Sequence, residues 1–206
     1  MLGERFEAEI REQPAVWRAI AATDLATTFA QAVHENDVVL VGSGSSLFVA
    51  MLGALALRRR GVRAAALPAT EAAFERTSYR GRTVIALSQS GRSADVLAAV
   101  ETLAPERLIA LTNDATSPLA SRADLVLDIA AGSERAVPAS KSVTAMIAVV
   151  LWGAALLGGT TERSAASLRA TADDIETWLT SDAIAGVERA AQRIARRRSV
   201  AVVGAG

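Results

Sequence analysis

Five short, largely apolar runs divide the first two thirds of the chain: Asp37-Val-Val-Leu-Val41, Val62 to Pro68, Thr83 to Leu87, Arg107 to Thr112 and Leu125 to Ile129. Each is strand length and is followed by a polar or glycine-containing turn. Between them the spacing of apolar residues changes to threes and fours, predicting helices over Leu47 to Arg60, with Gly61 as C-cap, Thr70 to Thr77 and Ala94 to Leu103. Ser117 to Arg122 reads as a helical turn, and a polar loop from Ala130 to Ala139 leads into a long apolar helix, Ser140 to Leu157. Near-continuous apolar strands alternating with helices imply an α/β fold in which a five-stranded parallel, doubly wound sheet is covered on both faces, an α/β/α sandwich.

Ahead of this unit, Ile10 to Val33 reads as helical with Pro14 near a helix start, so residues 1–36 form an N-terminal helical segment before the domain at 37–158. Beyond it, Glu162 to Leu179 and Ala183 to Arg197 predict a helical connector over 159–198. The last residues, Ser199-Val-Ala-Val-Val-Gly-Ala-Gly206, repeat the pattern of Asp37-Val-Val-Leu-Val-Gly-Ser-Gly44: a polar residue, four apolar ones, then Gly-x-Gly. Residues 199–206 are therefore expected to be the first strand of a second copy of the domain, and the chain a fragment of a longer protein.

Composition narrows the chemistry. Formal net charge is zero over 206 residues, which gives no electrostatic reason to expect a nucleic-acid partner. Cysteine is absent, which removes disulfides, thiolate metal sites and a cysteine nucleophile, and no metal or cofactor is expected. Met1 to Gln13 is charged and amphipathic rather than signal-like, and the longest apolar run, Ala145 to Leu157, is too short to span a bilayer. A cytoplasmic protein without a membrane partner is the expectation. His34, the single histidine, falls at a helix end before the first strand and reads as a surface residue; Lys141 is the single lysine.

Two turns are rich in hydroxyls: Gly42-Ser-Gly-Ser-Ser46 after the first strand and Ser88-Gln-Ser-Gly-Arg-Ser93 after the third. In a doubly wound sheet, ligands lie outside the carboxyl ends of the strands. There, glycine permits positive φ and close approach, and serine hydroxyls stand beside the unpaired N–H groups of the next helix. The combination suits a phosphate monoester at the positive end of the helix dipole, with the Gln89 amide available to sugar hydroxyls. Serine and glycine also serve as ordinary N-cap and turn residues. A dinucleotide fingerprint is disfavoured, because a third glycine is missing and the second strand ends Ala66-Leu67-Pro68 without an acidic residue. No strand is followed by the Gly-Lys-Ser/Thr of a Walker loop.

Ser88-Gln-Ser-Gly-Arg-Ser-Ala-Asp95 resembles the phosphate turn Ser-Gln-Ser-Gly-Glu-Thr-Ala-Asp of SIS (sugar isomerase) domains, above all in the isomerase half of glutamine–fructose-6-phosphate aminotransferase. Gly44-Ser45-Ser46 is similar to that family's Gly-Thr-Ser after strand one, and Ser133 to Thr144 to its Thr-Glu-Ile-Gly-Val-Ala-Ser-Thr-Lys-Ala-Phe-Thr segment. Glu9-Ile-Arg-Glu-Gln-Pro14 matches the motif that opens the isomerase half. The resemblance implies an SIS-type fold and phosphate held by Ser88, Ser90 and Ser93 with backbone N–H groups around Gly91. It implies that Ser46 and Gln89 touch phosphate or sugar and that Val137 to Ala139 border the sugar. Lys141 takes the family's lysine position, either sensing the anion or pairing with a carboxylate, the structural role being favoured. Arg92 stands where the family has glutamate, and Ala139 where it has serine.

The ligand so implied is a hexose or hexosamine 6-phosphate, bound by a homodimer. The family's catalytic glutamate, histidine and terminal lysine belong to its second domain, which here would begin near Val200, and its glutaminase half has no counterpart. The expectation is part of an aminosugar-phosphate isomerase or deaminase without amidotransferase activity, inactive as this chain alone. Of the carboxylates near the ligand face, Glu71, Glu75 and Glu134, none stands out as a base and the catalytic residue stays unassigned, with Glu134 the weak candidate. The alternative is a non-catalytic sugar-phosphate sensor, although residues 1–36 offer little room for a DNA-binding helix-turn-helix. A domain that has lost its ligand fits poorly with the complete Ser88 to Ser93 turn.

Overall fold

The computed structural model describes residues 3–33, 37–74, 82–159 and 161–201. Two helices, α1 (Glu4–Ile20) and α2 (Leu25–Val33), precede β1 (Val38–Gly42). Then follow α3 (Ser45–Arg58), β2 (Ala64–Pro68), α4 (Ala69–Ala72), β3 (Thr83–Ser88), α5 (Ala94–Leu103), β4 (Arg107–Thr112), a 3-10 turn at Ala120–Arg122, and β5 (Leu125–Asp128). Three helices close the described chain: α6 (Lys141–Leu156), α7 (Thr161–Thr180) and α8 (Ala183–Ala195).

The five strands are all parallel, in the order β2-β1-β3-β4-β5. The chain therefore adds β2 on one side of β1 and then crosses to add β3 on the other, so the topological switch point lies between β1 and β3. A crevice opens at the carboxyl ends of two strands at such a point. The expected doubly wound sheet is thus present, and its order makes the two serine-rich turns neighbours.

Side chains alternate strictly between two cores. Val38, Leu40, Ile85, Leu87, Ile109 and Leu111 pack with α2, α3 and α6, while Val39, Val41, Val84, Ala86, Leu108 and Ala110 pack with α4 and α5. This is the period-two consequence of the pleat. The first core is deep and holds the bulkier aliphatics; the second is lined with alanine and valine. Within the deep core glycine lets helices approach closely. A Cβ on Gly53 of α3 would lie 2.5 Å from Val150 of α6, and one on Gly153 of α6 would lie 2.4 Å from Phe29 of α2.

The helical stretch Ile10 to Val33 is in fact two helices. Thr23 breaks it: its hydroxyl donates to the Ile20 carbonyl at 2.9 Å and accepts the Leu25 N–H at 3.4 Å, ending one helix and starting the next. Pro14 is buried in the middle of α1 rather than near its start. Strand β2 starts two residues later than its apolar run because Val62 is consumed by a helix cap. With Gly61 at φ 83°, the Val62 N–H reaches back to the Leu57 carbonyl at 3.1 Å. After β2 the helix is a single turn; the rest of the expected Thr70 to Thr77 helix, with Glu75, lies partly outside the described residues, as does His34. Ser199 to Ala201 carry no strand, and the remainder of the expected final strand also lies outside the described residues.

α1 lies against α6 and α7, tied to the latter by Arg18, whose guanidinium donates to Asp173 at 2.6 Å and Glu176 at 2.5 Å. Among the described residues no helix is long and apolar enough to cross a membrane.

Gly153→Ala should destabilise the fold by about 1–3 kcal/mol through overpacking against the ring of Phe29, lowering Tm by roughly 2–10 °C in a thermal melt.

Candidate functional site

At the end of β1 the chain doubles back so tightly that a Cβ on Gly42 would stand 2.6 Å from the carbonyl of Ser46. Gly44, at φ 57° and ψ −130°, turns the chain into α3, a conformation that costs little only for glycine. Ser46 is buried in the first turn of α3, whereas Gly44 and Ser45 are exposed. Ser43 reaches across the crevice, its hydroxyl donating to Asp95 at 3.4 Å in the first turn of α5. That contact joins the β1 turn to the helix that follows β3.

The β3 turn is organised by its own hydrogen bonds. Buried Ser88 accepts the Gly91 N–H on its hydroxyl oxygen at 3.1 Å, and Ser90 accepts the Arg92 N–H at 3.3 Å. Both hydroxyl protons are thereby left to be donated elsewhere, a preorganised pair of donors. Ser93 is the N-cap of α5 and makes no side-chain capping bond, so its hydroxyl is also uncommitted to the helix. The N–H groups of the first turn of α5 lack intrahelical acceptors and carry the positive end of the helix dipole. The Gly91 N–H, by contrast, is used within the turn, bonding the Ser88 carbonyl as well at 3.2 Å, so the amide donors available to a ligand are those of the α5 start rather than Gly91 itself.

Gly91 sits at φ 60°, and a Cβ there would fall 2.0 Å from the hydroxyl oxygen of Ser117. Its carbonyl accepts the Leu119 N–H at 3.1 Å, and the Gln89 carbonyl accepts the Asn113 N–H at 3.0 Å, so the β4 turn braces the β3 turn from behind. The Gln89 side chain is half-buried. Arg92 extends toward the β4 turn and donates to Asp114 at 2.8 Å. The Asp114 carboxyl is held below its ordinary value of 3.8, first by the Thr116 hydroxyl, then by the Thr116 N–H and by Arg92. Because its folded pKa is depressed, whatever stability this carboxylate contributes is complete above the ordinary value and is lost only as pH falls through the lowered one.

The loop after β5 is held from three sides. Asn113 donates to the Gly132 carbonyl and accepts the Ala131 N–H, both at 2.7 Å. Glu134 accepts the N–H groups of Ser140 at 2.9 Å and Ser142 at 3.2 Å, and the Ser142 hydroxyl. It is the capping carboxylate of α6, a role that satisfies the helix start and favours negative charge there. The candidate base therefore has one oxygen committed to backbone N–H groups and the other to the Ser142 hydroxyl. From below, buried Glu9 of α1 accepts the Arg135 N–H at 2.5 Å and the Ala136 N–H at 3.2 Å. Lys141, 3% exposed, pairs with Glu12 one turn further along α1. Of the two roles open to Lys141, pairing with a carboxylate is the one this arrangement contains. Val137 is fully exposed and Ala139 exposed at the loop surface. A groove of about 660 Å³ runs between this loop and the start of α1, lined by Phe6, Ala136, Val137 and Pro138 and by none of the serine-turn residues.

Together the turns after β1, β3 and β4 and the loop after β5 form one connected rim at the carboxyl edge of the sheet. Although Ser43, Glu9 and Glu12 stand in motifs that the sequence displays, sequence reasoning gave no individual role to Ser43, Asn113, Asp114, Glu9 and Glu12. The last two had a visible signal: three apart on a helix, they share one face. Among the described residues no cluster of histidine, cysteine or carboxylate side chains could hold a metal ion.

The SIS domain family model matches residues 33–155, more than half of the chain. The chain belongs to the SIS domain family. A glutamine–fructose-6-phosphate aminotransferase from Pyrobaculum aerophilum is 29% identical over 209 residues, covering 96% of this chain and 35% of that protein. The tagatose-6-phosphate ketose/aldose isomerase of Escherichia coli superposes with a TM-score of 0.72 at 24% identity, over 87% of this chain and 54% of that one. A glucosamine-6-phosphate deaminase from Thermotoga maritima superposes with a TM-score of 0.57 at 25% identity, over 74% of this chain and 52% of that one. This SIS chain thus spans about a third of the curated relative and about half of each solved one.

Gly44→Ala and Gly91→Ala should separate backbone strain from crowding. Both pay about 1–3 kcal/mol for the backbone conformation, and only Gly91→Ala adds an overlap of about the same size with Ser117. Denaturant titration should therefore find Gly91→Ala the more destabilised; equal losses would mean that Ser117 moves aside.

Proposed function

We propose that this SIS chain binds a hexose or hexosamine 6-phosphate in the crevice between the β1 and β3 turns. The phosphate rests on the hydroxyls of Ser88, Ser90 and Ser93 and the first amides of α5, with Ser46 and Gln89 on the sugar side. Gly44, Ser45 and Gly91 shape the turns, and Val137 and Ala139 border the sugar. One observation carries the reading: two of these hydroxyls already accept the turn's own N–H groups, so their protons are set for an oxyanion at a helix N-terminus.

The chemistry served is isomerisation or deamination of an aminosugar phosphate in the cytoplasm, in keeping with the names of the aminotransferase and deaminase relatives. Moving a proton beside a carbonyl needs a poised base. Glu134, tied to the start of α6, is a poor one, which favours binding by this chain with the base supplied from elsewhere. The same observation supports a second reading, a sugar-phosphate sensor without turnover. Self-association is part of the proposal: Phe48, Met51, Leu52 and Leu55 form an exposed apolar stripe along α3, the helix that leaves the β1 turn, and a second copy is the occupant we assign to it.

Glucosamine 6-phosphate and fructose 6-phosphate should each raise Tm without turnover by the chain alone, and Ser90→Ala should weaken both roughly tenfold while leaving any binding of the unphosphorylated sugars unchanged. Equal losses for phosphorylated and free sugars would remove the phosphate role; turnover would mean that a base is present in this chain. In sedimentation, Phe48→Glu should shift the protein toward monomer, and an unchanged dimer would place the interface elsewhere.

A further inference from the structure

Arg92 occupies an unusual place, between Ser90 and Ser93 in the turn whose hydroxyls are preorganised for an oxyanion. Its N–H is fixed on the Ser90 hydroxyl at 3.3 Å, while its side chain is 57% exposed and reaches Asp114. The remaining donors of the site are neutral hydroxyls and amides. The nearest carboxylate in the helix start, Asp95, is negative and is held against the rim by Ser43. A dianionic phosphate at this helix start would share the first turn of α5 with Asp95, and among the described residues Arg92 is the one cationic side chain within the serine turn itself. Lys141 cannot take that part, being buried and paired with Glu12.

Asp114 is built to let Arg92 go. Its Oδ1 accepts the Thr116 N–H at 2.9 Å and the Thr116 hydroxyl at 2.6 Å, so the carboxylate keeps its position and most of its hydrogen bonding whether or not the guanidinium stays. An ion pair so exposed contributes little to stability in water. A guanidinium on phosphate oxygens gains paired, charge-assisted hydrogen bonds that a half-solvated carboxylate contact does not match.

We propose, resting on the phosphosugar reading above, that Arg92 is a specificity-determining ligand: paired with Asp114 in the free protein, it transfers to the phosphate oxygens when a sugar phosphate binds. The site thereby favours dianionic over monoanionic and neutral ligands.

Calorimetric binding of glucosamine 6-phosphate and fructose 6-phosphate to wild type, Arg92→Gln, Arg92→Lys, Asp114→Asn and Ser90→Ala tests this. Arg92→Gln should bind roughly tenfold more weakly with an unchanged Tm, and Arg92→Lys should recover part of the loss. Asp114→Asn, which releases the guanidinium, should bind a few-fold more tightly. The proposal is overturned if Arg92→Gln binds like wild type while Ser90→Ala does not, or if Asp114→Asn loses as much as Arg92→Gln. Should Asp114→Asn fail to fold, the glutamine and lysine variants decide alone. Failure of the wild type to bind either phosphosugar would sink the underlying phosphosugar reading, a result distinct from the other two.

Discussion

The pairing of β1 with β3 is the constraint on which the rest of this molecule depends. Residues Val38 to Gly42 sit in parallel register with Thr83 to Leu87, so the two strands end side by side and the helices that follow them leave toward opposite faces. No loop has to be long to bring the two hydroxyl-rich turns together; the sheet order does it. The Ser43 to Asp95 hydrogen bond then closes the remaining distance. A different strand order would leave the same two motifs intact and place them apart.

What could be read from the sequence was whatever is local or periodic. Near-continuous apolar runs gave the strands, and three-to-four spacing gave the helices, because burial on one or two faces dictates those periods directly. The serine-rich turns were legible because Ser88 to Ser93 holds more hydroxyl and small residues than a single N-cap and turn require. The misjudged boundaries were decided by single hydrogen bonds that no periodicity encodes: Thr23 dividing one helix into two, and Val62 spent on a helix cap instead of a strand. The support of the rim was also hidden. Asn113 is one polar residue after β4, indistinguishable in sequence from any turn residue, yet it fastens the loop after β5 through two short bonds.

Glu134 shows how chemistry and architecture compete for one side chain. A carboxylate in a loop beside a presumed sugar invites a catalytic role, but here it meets three donors at the start of α6. Helix starts draw acids for the same electrostatic reason that they draw phosphates. In α5 that field is left to hydroxyls and open amides; in α6 it is consumed by the protein itself. The two helix starts at one sheet edge thus differ in whether their positive end remains available.

The tether between α1 and the loop after β5 has a consequence for how this domain can change over time. Glu9 and Glu12 lie far in sequence from the segment they support, and in each pairing one partner is buried: the Glu9 carboxylate in the first and the Lys141 ammonium in the second. Removing or redirecting α1 would strand the ammonium of Lys141, at the start of α6, in the interior, a penalty of about 3–5 kcal/mol for an uncompensated buried charge. The opening helix and the rim it underpins are therefore bound to diverge jointly, and a graft that carries one without the other inherits an orphaned ion.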